Sequence, residues 1–420
     1  MDRPLPILSL PVREQRYSCH GCGNCCKDFT VQLRERDLQK LREQRWEERL
    51  GEPVTVEFRD RIWLRQREDG SCVFLQEDGK CRIHAEFGFA EKPTACQLFP
   101  FVLVPDETRT RAGLSFACQS VRENKGAQLS THLAELERMS ADIPETRRAT
   151  DVLLLAEALH AKPGEIACLE AVVDVWFSRT DITLRDRWDG FAWLSTSLAR
   201  AQLRSVRETR FKDLVQLLAS ALPEELHQLG VDRATKRQSK LLRQGVFARL
   251  EDVKISSAKS KGRLRVVLGQ LLRSARFSRG KGVIPNVAQG FLEGVRFELV
   301  AASAPLSDSP DANEIDMLFS RYARAMVLGG RAWGAGYYGW PAVRGMQALA
   351  LNIACTAWVA RARAAKQGRS VALISDVEDA LGRIDRAAGR APWLGAVGER
   401  VRLDYLRLDD GLRRILRDSI

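Results

Sequence analysis

The chain has 420 residues, 45% of them hydrophobic and 29% charged, and a net charge of +12. Such a composition gives a globular chain with room for two or three domains and excludes disorder and fibrous repeats. The weakly polar run Met346–Ala360 is 15 residues long and is interrupted by Gln347, Asn352 and Thr356, short of the roughly 20 apolar residues a membrane span needs. Pro4, Pro6 and Pro11 break an amino terminus that lacks the basic start and apolar core of a secretory signal. The expectation is a cytoplasmic protein without a membrane span.

Taken in chain order, residues 1–125 read as a small mixed module. Leu33, Leu38, Leu41 and Trp46 suggest one helix, while Val54, Val56, Phe58, Ile62 and Leu64 alternate as strands do. Asp78-Gly79 signals a tight turn, and extended pieces are expected at Val102–Val104 and Leu114–Phe116. From about residue 126 the spacing turns helical, as in Leu133, Leu136 and Met139, then Val152, Leu153, Ala156 and Leu159, then Leu214, Leu217 and Leu218. Pro163-Gly164, Pro223, Pro285, Pro305 with Pro310, Pro341 and Pro392 suit helix starts or breaks, and Ser256–Gly262 reads as a mobile loop. The predicted fold is mainly α: a small irregular α+β cysteine-rich metal-binding module over 1–125, followed by an all-helical region over 126–420.

Charge is unevenly spread. Residues 1–125 carry 21 Lys+Arg against 20 Asp+Glu, whereas Arg233–Lys281 carries 15 against Glu251 and Asp252 alone, a local net of +13. The segment 233–281 is the expected contact for an acidic partner. Nucleic acid is allowed, with Arg243, Lys259, Lys261 and Arg265 contributing, but is not favoured: the stretch holds only Phe247 and Phe277 as aromatics and no nucleic-acid motif.

Eight of the ten cysteines precede residue 119. Cys168 and Cys355 sit in apolar, helical-looking stretches and read as small buried hydrophobes. Cys19, Cys22, Cys25 and Cys26 place four thiols within eight residues, with Gly21 and Gly23 letting the backbone turn tightly around a bound centre. Cys72, Cys81, Cys96 and Cys118 return four more from separate loops. A reducing cytosol disfavours disulfides, and packing does not account for such density, so the thiols read as ligands of zinc or of an iron–sulfur cluster. Eight thiols complete two tetrathiolate sites, or one cluster with spare ligands. Adjacent side chains in extended backbone point to opposite faces, so Cys25 and Cys26 favour two centres. Three thiols at intervals of three residues favour iron–sulfur, 4Fe-4S in kind, over zinc, whose knuckles come as separate pairs. His20 and His84 adjoin ligands and are expected to hydrogen-bond or face water.

The order Cys19-x2-Cys22-x2-Cys25-Cys26, Ser71-Cys72-Val-Phe-Leu, Gly79-Lys80-Cys81-Arg-Ile-His84, Lys92-Pro93-x2-Cys96-x2-Phe99-Pro100 and Cys118 resembles the CxxCxxCC zinc- or iron-chelating cysteine-cluster family, the YkgJ-like proteins. The resemblance spans about residues 17–120 and implies that these eight thiols are metal ligands. Some longer members with a helical region behind the cluster are named flagellin lysine N-methylases. By layout alone this implies a lysine methyltransferase-like enzyme using S-adenosylmethionine on a protein substrate such as flagellin, with no catalytic residue that matches.

Gly334-Ala-Gly336-Tyr-Tyr-Gly339 fits the nucleotide-cradling GxGxxG pattern, but no Asp or Glu occurs between Met317 and Ser375 to hold a ribose, and the upstream spacing is helical. An interhelical turn is expected, with Trp333, Tyr337, Tyr338 and Trp340 either packed in the core or caging a cation. The eight Lys+Arg of the same stretch read as solvated helix faces, or as one wall of a cationic groove.

Overall fold

The computed structural model describes residues 7–9, 12–58, 60–143, 152–228, 230, 232–251 and 263–420. Within them the predicted mainly α architecture is found. Strands β1 (Ile7–Ser9), β2 (Arg16–Tyr17), β3 (Thr55–Phe58), β4 (Arg61–Leu64), β5 (Phe101–Pro105), β6 (Thr110–Leu114), β7 (Ala127–Gln128), β8 (Leu154–Ala156) and β9 (Leu159–His160) pair as β1-β6-β5, β2-β7, β3-β4 and β8-β9. Short helices α1 (Cys25–Asp28), α2 (Glu35–Glu43), α3 (Trp46–Leu50), α4 (Arg82–Phe87), α5 (Thr94–Leu98), α6 (Gln119–Arg122) and α7 (Leu133–Ala141) lie among them. Further helices, most of them longer, follow: α8 (Glu165–Ser178), α9 (Leu184–Arg200), α10 (Thr209–Gln228), α11 (Lys236–Leu250), α12 (Arg263–Arg279), α13 (Phe297–Ala302), α14 (Ala312–Leu328), α15 (Ala342–Lys366), α16 (Ile374–Ala387), α17 (Val397–Arg407) and α18 (Gly411–Ser419).

The weakly polar run of the sequence becomes α15, which is buried on every side because α9, α11, α16 and α18 all pack around it. None of the described helices is long and apolar enough to cross a membrane. The main apolar cluster runs from Val12 through Phe101, Leu114 and Phe116 to Ile420, so β5 and β6 share a core with the long helices. A second, smaller cluster holds Leu33, Leu38, Leu41, Trp46, Val54, Leu64, Val73, Phe74 and Ile83.

Several elements differ from expectation. The single helix predicted over Leu33–Trp46 is two, α2 and α3, separated by Arg45 in the left-handed region at φ 54°. The strand expected at Leu114–Phe116 lies earlier, at Thr110–Leu114; Thr110 and Arg111 hid it because they are buried polar residues, and Arg111 is neutralised by Asp106 at 2.7 Å and by Glu170. Val152–Leu159 is no helix but the hairpin β8-β9, turned by Ala158 at φ 52° and packed through β8 against α15. The backbone of α10 continues through Pro223, where a break was expected; packing against both α8 and α9 outweighs the one lost hydrogen bond. The expected mobile loop Ser256–Gly262, with Lys259 and Lys261, lies outside the described residues.

The basic residues of 317–375 are largely spent inside the fold. Arg331 meets Asp385 at 3.1 Å, Arg324 meets Asp174 at 2.6 Å and Arg369 meets Asp376 at 2.7 Å. Arg361 donates to the carbonyls of Val300 and Ser303, and Arg321 to that of Arg122.

Candidate metal centre

Each cysteine is placed by a local device that the sequence supplies. Gly21 and Gly23 take φ +67° and +71°, conformations that favour glycine, and a Cβ on Gly23 would meet the Gly79 carbonyl oxygen at 2.9 Å. The Cys19–Cys26 loop therefore lies directly on the Asp78-Gly79 turn that precedes Cys81. The Cys72 amide donates to the Cys26 carbonyl at 2.6 Å, joining the second ligand loop to the first. Arg67 fixes that loop by donating to the carbonyls of Val73 and Leu75, both at 2.9 Å. Cys96 lies in α5, whose Thr94 donates its amide and hydroxyl to the buried Asp37 carboxylate of α2, at 2.8 and 2.9 Å. Cys81 and Cys118 occupy the residue before α4 and before α6, respectively.

Cys25, Cys26, Cys72, Cys81 and Cys96 line one cavity of about 570 Å³ between the N-terminal part and helices α11 and α16. Cys25 and Cys26 begin a helix rather than an extended strand, so their Sγ atoms, 3.9 Å apart, face the same cavity and not opposite sides. Cys19 and Cys22 are exposed beside it, and Cys118 is partly buried. Cys118 lies within electrostatic reach of Cys25 and Cys22, and Cys96 within reach of Cys72, Cys81 and Cys25. Cys25 thus stands between two sets of thiols. No three described Cys, His, Asp or Glu side chains are drawn close enough to enclose one ion.

Burial disfavours the charged thiolate at several of these cysteines. Burial pushes the Cys72 thiol up to about 11, with the repulsion of Cys81 adding to it, and pushes Cys118 up to about 11 as well. The Cys25 thiol is raised by its contact with Cys26 and then by burial; Lys92 opposes this. A bound cation must displace these protons, and soft thiolates suit zinc and iron–sulfur iron alike, so the donor set fits the group. His20 hydrogen-bonds Ser120 through Nδ1 at 2.8 Å and His84 packs edge-on to Phe89, as expected of residues beside a site.

The other candidates resolve differently. Cys355 is fully buried in α15, and Cys168 is partly buried in α8. Gly334–Gly339 joins α14 to α15 as a turn closed by Gly334 N–H donating to Trp340 O at 2.8 Å, without the strand a nucleotide site requires. Tyr337 and Trp340 are each 1% exposed and pack on one another, leaving no open cage. Arg243 of the basic segment donates to the carbonyls of Phe277 and Ser278, whereas Arg265 is exposed. Sequence reasoning missed Phe29, Lys92, Arg383, Arg386, Arg390 and Trp393, which also line the thiol cavity. The signals in the sequence were the place of Lys92 in the motif before Cys96 and the 3- and 4-residue spacing of the three arginines.

Residues 18–125 match the model of the CxxCxxCC family, described as "Putative zinc- or iron-chelating domain", which is the family the cysteine spacing indicated. Among individual proteins the chain is similar to "Uncharacterized protein MJ0939" of Methanocaldococcus jannaschii, 34% identical over 87 residues, which is 20% of this chain and 29% of that protein. The similarity thus spans under a third of the relative's length. No solved structure matches the chain.

Proposed function

We propose that the protein holds an iron–sulfur cluster, 4Fe-4S in kind, at the thiol cavity, and uses Cys19, Cys22 and Cys118 for a second iron or zinc centre. The observation that carries this reading is the convergence of Cys25, Cys26, Cys72, Cys81 and Cys96, from four separate segments, on one cavity wall. A cavity of about 570 Å³ is roomier than a lone zinc ion needs, and thiolates of this number suit a cluster. When bound, such a centre supplies electron transfer or Lewis acidity. The chain's own part is to hold the thiolates, with Lys92 offsetting their charge.

Anaerobic purification followed by optical spectra and elemental analysis tests it. Brown visible absorption with iron and acid-labile sulfide is expected, and Cys72→Ser or Cys96→Ser should remove most of it. Colourless protein with stoichiometric zinc would reject the cluster in favour of zinc. Metal-free protein, with unchanged stability in both variants, would reject ligation altogether.

A further inference from the structure

Helix α12 carries apolar side chains on two opposite sides. On one, the fully buried Phe277 packs on Phe247 of α11, Phe297 of α13 and Trp358 of α15, with ring centroids 5.3, 5.3 and 6.2 Å away. On the other, Val267, Leu268, Leu271 and Leu272 are 47, 58, 62 and 60% exposed. Steps of one, three and four residues, continued by the exposed Ala275, place them in one stripe along the helix, roughly opposite Phe277. A helix ordinarily turns its apolar face to the core and its polar face to water. Single exposed leucines need no explanation, but a contiguous apolar patch with a charged rim marks a surface that another molecule or phase covers.

The rim is cationic. Arg265 and Arg276 follow one edge of the stripe and Arg279 stands at its carboxyl end, all three exposed. Arg276 donates to the Val283 carbonyl at 3.0 Å, and among the described residues none of the three meets a carboxylate. No Asp or Glu occurs between Arg263 and Lys281. Glu251, which does approach the helix, is taken by Arg273 on the side away from the stripe.

These charges narrow the choice of what covers the stripe. Pairing it with a second copy would set arginines against arginines, at the cost of like-charge repulsion. A folded protein partner would grip aromatic anchors or a groove, whereas this surface is the convex side of one helix and its stripe is aliphatic throughout. A bilayer asks for no shape complement: leucines enter the acyl boundary, and the arginines beside them reach up to anionic head groups.

We propose that α12 seats the protein on an anionic bilayer surface, with Val267, Leu268, Leu271 and Leu272 entering the acyl boundary while Arg265, Arg276 and Arg279 meet lipid phosphates. The helix lies in that surface and does not cross it, in keeping with its 17 residues and its charge. This seating does not depend on the metal centre. The test is co-sedimentation of the full chain, purified anaerobically, with vesicles of phosphatidylglycerol and phosphatidylcholine in equal parts and with vesicles of phosphatidylcholine alone, alongside sedimentation velocity without lipid. Binding to the first, about tenfold or more weaker binding to the second, and weakening by salt are expected. Leu271→Gln with Leu272→Gln, and separately Arg265→Gln with Arg279→Gln, should each weaken binding by about tenfold or more. Because these side chains are exposed, the urea midpoint should stay at the wild-type value in both. Absence of binding, or binding indifferent to the leucine pair, would overturn the proposal. Self-association that the leucine pair abolishes would also overturn it, by assigning the stripe to a second copy. So would capture of an acidic protein from membrane-free lysate, through the same leucines, by a chain that ignores vesicles.

Discussion

Gly23→Ala separates the contribution of loop geometry to metal binding from that of the thiols themselves. Gly21 and Gly23 occupy the same loop at φ +67° and +71°, but a Cβ on Gly21 meets nothing within 4 Å, whereas one on Gly23 meets Gly79 O at 2.9 Å and Leu75 Cδ1 at 3.2 Å. Left-handed backbone costs a residue with a Cβ roughly 1–2 kcal/mol, so both alanine variants carry that term. Only Gly23→Ala also forces a backbone oxygen aside, an overpacking of roughly 1–3 kcal/mol. The expected losses are therefore about 1–2 kcal/mol for Gly21→Ala and about 2–5 kcal/mol for Gly23→Ala. Because the displaced oxygen belongs to the turn before Cys81, the larger loss should fall on metal binding. Anaerobic reconstitution with elemental analysis, alongside urea unfolding, reads both quantities. Equal metal content and equal stability in the two variants would refute the reasoning that this contact assembles the site.

Cys22→Ser and Cys26→Ser should lose metal and loosen residues 17–120, seen as faster proteolysis there; wild-type metal content and melting in both would show that these thiols are not ligands. Asp37→Ala removes the Oδ1 atom that accepts from both the Thr94 amide and hydroxyl and should lower metal content by displacing Cys96, while Asp37→Asn, which keeps that oxygen, should retain more of it. Asp385 accepts from Arg331 at 3.1 Å, from Ser115 Oγ at 2.9 Å and from the Ala117 amide at 3.2 Å, all buried. Asp385→Ala should therefore cost about 3–5 kcal/mol in urea unfolding, as breaking a buried pair does; a loss below about 1 kcal/mol would mean that Arg331 does not depend on this carboxylate.

The division into cysteine-rich and helical parts was legible because both signals are local: thiol spacing in one, apolar period in the other. What misled was local pattern overruled by distant partners. Val152–Leu159 has apolar residues at helical intervals, yet it folds as a hairpin because α15, some 190 residues on, offers a flat apolar face to β8. Arg111 reads as an unsuitable strand residue until Glu170 is seen to neutralise it. Of the candidate site, the clustered cysteines could be read from the sequence, but the arginine side of the cavity could not. Nothing near Cys25 indicates that Arg383, Arg386 and Arg390 close the space in front of it, since only the packing of α16 brings them there.

The position of the cavity explains why a bound centre would matter to the whole chain. Cys72, Cys81 and Cys96 pack against the small apolar cluster, whereas Cys118 packs against the main one. Among the described residues nine buried apolar side chains make up the small cluster, a core of the size that ordinarily needs a metal or disulfide to stay folded. A centre ligated by these thiols would tie that core to itself, and through Cys25, which lies within electrostatic reach of Cys96 and Cys118 alike, to the main cluster. The arginine wall belongs to the main cluster's helices, so whatever occupies the cavity touches both bodies at once. Loss of the centre would then release the small core first, and with it the thiol face of the cavity, while the long helices around α15 keep their own packing.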